Sequence, residues 1–257
     1  MQEDVLESKL SKEFFDDFFT GLPSPRIVGV APIHLENGSL TRLALAVSSK
    51  AVIIQFHAKG KGANAYKGRE VLAAEVLCNP DVLLLSFDCA KLAIALFADQ
   101  NLRIVNGIDV QDACDGSDRA PLAAIKFAAG DGIAVMDENV NATFENSIFE
   151  STRVTSLALQ AWVAQCLPML PGMEDRFQAA KRINTQKLPE PELRVYAQTG
   201  RGEQRLALTA RQGRAIRYEV QEGNASAHHR PRFEHRDGHR HPRHRRERRG
   251  TQHYHQD

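Results

Sequence analysis

Carboxylates are the first residues in this chain that could do chemistry: Asp88, Asp109, Asp112 and Asp115 lie close together in sequence, with Glu36 upstream. Carboxylate oxygens hold divalent cations, and a pair of such ions can activate water for phosphodiester cleavage. Asp109 to Asp118 follows an apolar run, at the kind of strand end where α/β proteins place ligands. A solvated acidic loop would have the same composition, so spacing alone leaves both readings open.

Other reactive side chains are arranged less suggestively. The four cysteines, Cys78, Cys89, Cys114 and Cys166, form no Cys-x-x-Cys pair and each sits in or beside an apolar segment, so they are expected to be reduced, buried and structural. Lys59-Gly60-Lys61-Gly62 lacks the Gly-x4-Gly-Lys-Ser/Thr order of a phosphate loop. Eight of the ten histidines lie in residues 223–257 without paired cysteines or fixed ligand spacing, which argues against a zinc site. The same stretch carries nine arginines against four acids. Its Arg243, Arg245, Arg246, Arg248 and Arg249 are candidates for contact with nucleic-acid phosphates, a salt-sensitive mode of binding, or for nuclear import.

The elements that must position these groups follow from periodicity. Residues 3–22 place Val5, Leu6, Leu10, Phe14, Phe15, Phe18 and Phe19 at helical spacing before Gly21 and Pro23. This predicts one amphipathic N-terminal helix over 1–24. Its Phe14, Phe15, Phe18 and Phe19 would either pack on the domain or meet a partner. Three apolar runs, Ile27 to Ala31, Leu40 to Val47 and Ala51 to Phe56, predict an antiparallel meander. Gly68 to Cys78 (helix), Val82 to Phe87 (strand), Cys89 to Ala98 (helix) and Leu102 to Ile108 (strand) give the alternation of a parallel pair. Helices are then expected over 120–129, 144–167 and 173–183. The second of these has Phe149, Val154, Leu157, Leu159, Trp162, Val163 and Leu167 as core candidates. Arg-rich apolar runs over 190–222 read as a small appended β-meander, and 223–257 has too little apolar surface to fold by itself. No stretch approaches the length of apolar residues needed for a membrane helix.

Leu84-Leu85-Ser86-Phe87-Asp88-Cys89-Ala90-Lys91-Leu92, continuing through Asn106-Gly107-Ile108-Asp109-Val110-Gln111-Asp112-Ala113, resembles the second motif of the RNase D and Werner-type 3′→5′ exonuclease domain family. The resemblance extends over residues 25–175. It implies an α/β fold of the ribonuclease H-like kind over 25–185, with a mixed sheet of three antiparallel strands plus parallel strands, flanked by helices. It also implies where four metal-binding acids would stand, and this chain departs from the pattern there. The Asp-x-Glu of the first strand falls on Gly29 and Ala31. The third acid falls near Leu92, or on Asp88 if the register moves by one turn, and the fourth falls on Gln160.

On this reading the chain is a pseudo-exonuclease with no catalytic residues, metal or cofactor. It would serve as a scaffold or RNA-binding subunit of a cytoplasmic or nuclear RNA-handling complex, with protein partners, RNA on the basic tail, and a second copy among the partners its Phe-rich helix could meet. The competing readings are a divergent metal-dependent 3′→5′ exonuclease using Asp88 and Asp109, and a purely protein-binding module.

Overall fold

The computed structural model describes residues 2–35, 38–57, 63–114, 120–144 and 150–189, all within the unit Met1–Ala215. The expected meander of 190–222, the basic tail, Glu36, Asp115, Phe149 and the Lys59–Gly62 loop lie outside the described residues.

The chain opens with a strand, β1 (Gln2–Leu6), and continues through a 3-10 turn (Glu7–Lys9) to a two-turn helix, α1 (Lys12–Phe18). The single helix predicted over 3–22 is therefore corrected. Val5 and Leu6 satisfy a helical pattern locally, but β1 lies parallel to a later strand, pairing Val5 with Ile54, and that long-range pairing overrides local periodicity. The Ser11 side chain caps α1 by accepting a hydrogen bond from the Phe14 N–H.

A meander follows: β2 (Arg26–His34), β3 (Leu40–Ala46) and β4 (Ala51–Gln55). Next come α2 (Ala63–Leu72), extended by a π-helical turn (Ala73–Leu77), then β5 (Val82–Ser86), α3 (Cys89–Gln100) and a short β6 (Gly107–Asp109). The strand expected over 102–108 is thus confined to its last residues, because Ile104 pairs instead with Thr185 from the end of the described chain. Helices α4 (Val110–Ala113), α5 (Pro121–Ala129), α6 (Asp137–Phe144), α7 (Glu150–Cys166) and α8 (Glu174–Ala179) complete the described fold.

The strand order is β1-β4-β3-β2-β5-β6, antiparallel within β2–β3–β4, while β5 runs parallel to β2 and β6 to β5. This is the mixed sheet of a ribonuclease H-like α/β fold. One face is bulky: Val28, Val30, Leu43, Leu45, Val52, Ile54 and Leu84 pack under α1, α2 and α3. The other is made of small residues where α7 lies on it. Ala31, Ala44, Ala46 and Ile53 meet Leu157, Ala158 and Ala161 there, and Leu85 and Ile108 meet Ala164, Leu167 and Phe177 further along.

Two devices fasten the ends of the sheet. Glu7 is fully buried, and its carboxylate accepts from Arg69 Nε (2.6 Å) and Nη2 (3.0 Å) and from the His57 backbone N–H (2.7 Å). This joins the end of β1 to α2 and β4. Gly68 permits the joint, because a Cβ there would fall on the Glu7 carbonyl oxygen. At the opposite edge a strap after α8 pairs Ile183 with Gly107 in both directions (2.7 and 3.0 Å) and buries Thr185, whose hydroxyl accepts from the Ile104 N–H.

Candidate functional site

The positions that the family resemblance implies for a two-metal centre fall on β2, on α7, and on α3 or the turn just before it. The sequence places Gly29 and Ala31 on β2, both on the face that α7 covers. Val28 and Val30, the bulky neighbours, point to the opposite layer and anchor the strand there. Gly29 allows a backbone-to-backbone contact. A Cβ at this position would land on the Ala161 carbonyl oxygen and lie 2.9 Å from the Gln165 amide nitrogen. Ala31 is buried beside Ala158 and Ala161. A magnesium ion needs several oxygen ligands at roughly 2.1 Å. At Gly29 the backbone of α7 leaves no space for the methyl group of an alanine, still less for a carboxylate and an ion, so these residues do not fit the metal pair that the resemblance implies.

The remaining positions divide between two sides of the sheet. Leu92 is a core residue on α3, packed within the bulky-face cluster. It therefore sits across the sheet from Gly29 and Ala31. Asp88 occupies the turn between β5 and α3 instead, exposed, in a left-handed conformation (φ 52°) that Asp tolerates better than most residues. Gln160, half-buried on α7, donates from Nε2 to the Thr143 carbonyl at 2.7 Å and so ties α7 to the last turn of α6. An ionised carboxylate at that position could not donate.

Asp109 is buried, and its oxygens are engaged by the backbone. Oδ1 accepts from the N–H groups of Gln111 (3.0 Å) and Asp112 (3.4 Å), capping α4, and Oδ2 accepts from the Cys89 N–H (3.2 Å) at the start of α3. One carboxylate thus closes the first turn of two helices. The Gln111 side-chain oxygen accepts from the Asp88 N–H at 3.0 Å, stitching the same two turns together. Asp88 and Asp109 are neighbours with different tasks, one exposed and one capping. Among the described residues no three of His, Cys, Asp or Glu converge in a metal-holding group.

Of the four thiols expected to be buried, Cys89 and Cys114 are buried, whereas Cys78 and Cys166 are half-buried. Burial, reinforced by the nearby charges of Asp109, Asp112 and Asp88, holds the Cys89 thiol well above its ordinary range. Burial pushes Cys114 up to about 12, against the Arg176 guanidinium. Protonated thiols of this kind are poor nucleophiles and poor metal ligands.

The four phenylalanines offered as a partner surface are mostly core. Phe15, Phe18 and Phe19 are buried, Phe14 packs against them at the margin, and the rings of Phe15 and Phe19 stack at 6.2 Å. The side chains that sequence reasoning placed inside but the structure leaves outside are Leu159 and Trp162 on α7. Leu157 and Leu167 are buried as expected. An interior strand glycine often marks close backbone approach, and Gly29 carried that signal.

No family model and no curated protein matches the chain. Several solved structures do. The catalytic core of RRP6 from Trypanosoma brucei superposes with a TM-score of 0.46 at 12% identity, over 82% of this chain and 52% of that one, so this chain spans about half its length. Brucella melitensis NrnC gives 0.44 at 9% identity, over 81% of this chain and 91% of that one. The EXD2 exonuclease domain gives 0.32 at 15% identity, over 65% and 87%. The fold is defined by the strand order described above, independently of these superpositions.

Proposed function

We propose that the protein is a noncatalytic member of the exonuclease-like group, a scaffold whose α/β body makes protein contacts and whose Arg/His-rich C-terminal segment adds affinity for RNA. The observation that carries this reading is the seat of α7 on Gly29 and Ala31, where the helix occupies the place in which metal-binding side chains would have to stand. The use of Gln160 as a tie between α6 and α7, and of Asp109 as a helix cap, supports it further. Among the described residues, Asp88 is the exposed carboxylate that remains in the turn after β5, and a single carboxylate is too few for two cations.

Degradation of an end-labelled single-stranded RNA in Mg²⁺ or Mn²⁺ tests the first half. The expected result is intact RNA, identical with Asp88→Asn. Cleavage that Asp88→Asn abolishes would overturn the reading and make the protein a nuclease. Retention of the same RNA across a salt series tests the second half. Replacing Arg243, Arg245, Arg246, Arg248 and Arg249 with Ala should lower the slope of log K against log salt by about 3.5, at ~0.7 for each phosphate no longer neutralised. Unchanged retention would favour a purely protein-binding module.

A further inference from the structure

The two edges of the sheet carry opposite charge. Residues 1–189 contain 18 Lys and Arg against 23 Asp and Glu, so the body as a whole repels a polyanion. The β1 edge follows that balance, with Glu3 and Asp4 exposed. The edge closed by the strap reverses it. It is formed by residues 101–108 and 178–189, whose only charged side chains are Arg103, Lys181, Arg182 and Lys187. Four cations thus share one edge, and neither segment that builds it contains an acid.

The strap turns its charge outward. Ile183 and Thr185 are buried, whereas Lys181, Arg182, Gln186 and Lys187 are exposed. Arg103 fixes the turn: its Nη1 donates to the carbonyls of Thr185 (2.7 Å) and Leu188 (2.9 Å), neutral acceptors that leave its charge uncompensated. Among the described residues neither Arg182 nor Lys187 has a carboxylate at ion-pair distance. Partial burial lowers the Arg182 pKa, yet a guanidinium stays protonated. Its charge is therefore fixed, partly desolvated and open to an incoming anion.

What the edge lacks narrows the choice of anion. The centre of a protein–protein interface is depleted of charge and enriched in aromatic and apolar side chains. Among the described residues, the exposed large apolar side chains all lie outside 101–108 and 178–189. Beside its cations the strap offers the amides of Asn184 and Gln186. Arg, Lys and amide donors without an apolar centre suit the phosphate and sugar oxygens of a nucleic-acid backbone, which such side chains bind irrespective of base sequence.

We propose that the strap edge, through Arg182 and Lys187 with Arg103 and Lys181 beside them, binds the phosphate backbone of single-stranded RNA. The inference rests on the RNA-binding half of the proposed function and adds to it a contact on the folded body. It is independent of whether the protein cleaves RNA.

The experiment is retention of the end-labelled single-stranded RNA by the full-length protein across a salt series. Arg182→Gln with Lys187→Gln should lower the slope of log K against log salt by about 1.4, at ~0.7 for each phosphate no longer neutralised. The fall should be the same in the parent and in the variant whose five tail arginines are replaced with Ala. Both strap residues are exposed and neither holds the strap in place, so the urea midpoint should match the parent's. Lys12→Gln with Lys67→Gln, which removes the same charge from exposed positions on α1 and α2, should leave the slope unchanged. A strap variant with the parent's slope, beside a tail variant whose slope has fallen, would overturn the inference and leave the tail reading intact. An equal fall with the Lys12 and Lys67 pair would also overturn it, because cations anywhere on the body would then serve. A parent that retains no RNA at low salt would overturn both readings. In the tail variant, polyglutamate that displaces the RNA at equal charge concentration would overturn the assignment to a phosphate backbone and give the edge to an acidic protein.

Discussion

The two faces of the central sheet solve the same packing problem in opposite ways. Under α1, α2 and α3 the sheet presents Val28, Val30, Leu43, Leu45 and Ile54, and the layers are held apart by large side chains that interdigitate. Under α7 it presents Gly29, Ala31, Ala44 and Ala46, and the helix comes down onto the strand backbone. The bulky face gains stability by filling volume, and the small face gains it by approach. A cleft able to hold acids, ions and a nucleic-acid end needs the spacing of the first face with polar lining. The second face, among the described residues, has neither.

Substitutions can break that contrast. The largest effect is expected from introducing the Asp-x-Glu that the resemblance implies, with Gly29→Asp and Ala31→Glu together. Each side chain would have to displace α7, so the double variant should fail to fold rather than gain activity, read as loss of the cooperative urea transition. Gly29→Ala alone should cost about 3 kcal/mol or more, the upper range for overpacking a tight site. Leu43→Ala, on the bulky face, should cost a similar ~3 kcal/mol for the reverse reason, the cavity it leaves. Growth is punished on one face and shrinkage on the other. Leu43→Met, which conserves volume, should cost less than about 1.5 kcal/mol and sharpen the distinction.

Smaller effects probe the ties around α7. Gln160→Glu removes the donor to the Thr143 carbonyl and should cost about 1 kcal/mol above its pH of ionisation, measured by chemical denaturation at neutral pH. The smallest concerns the thiols, Cys89 under the bulky face and Cys114 under the other. Both are held above their unfolded values, so folding favours the protonated forms. The stability they contribute is complete below about pH 8.5 and is lost as pH rises towards the Cys114 value of about 12. Cys114→Ala should therefore flatten the decline of the melting temperature across that alkaline window without changing its course at neutral pH.

The strand and helix order of the sheet was legible in the sequence because the meander and the helix-strand alternation are local patterns. What the sequence concealed was non-local. The strand Gln2–Leu6 depends on pairing with Ala51–Gln55, and the burial of Glu7 depends on Arg69 and His57, none of which neighbours it in sequence. Counting left the third acid position one helical turn open, and the structure puts its two candidates in different surroundings, Leu92 in the core and Asp88 exposed in a left-handed turn. Leu159 and Trp162 were assigned to the core because α7 is apolar on two sides, and periodicity does not say which side faces the sheet. That Gly29 and Ala31 offer no metal-binding side chain was visible as residue types. That α7 packs directly on them was not.

The strap at the far edge bears on how the protein is made. Ile183 enters the main core and Thr185 supplies the partner for the Ile104 amide, a contact across 81 residues. During synthesis the strands β1 to β6 emerge well before it, and until the strap clears the ribosome the edge strand Gly107–Asp109 has an uncovered side and the core beneath Ile104 is open. Completion of the domain is consequently a late event. A nascent chain halted before residue 183 carries all six strands and still lacks the segment that pairs with Gly107 and Ile104.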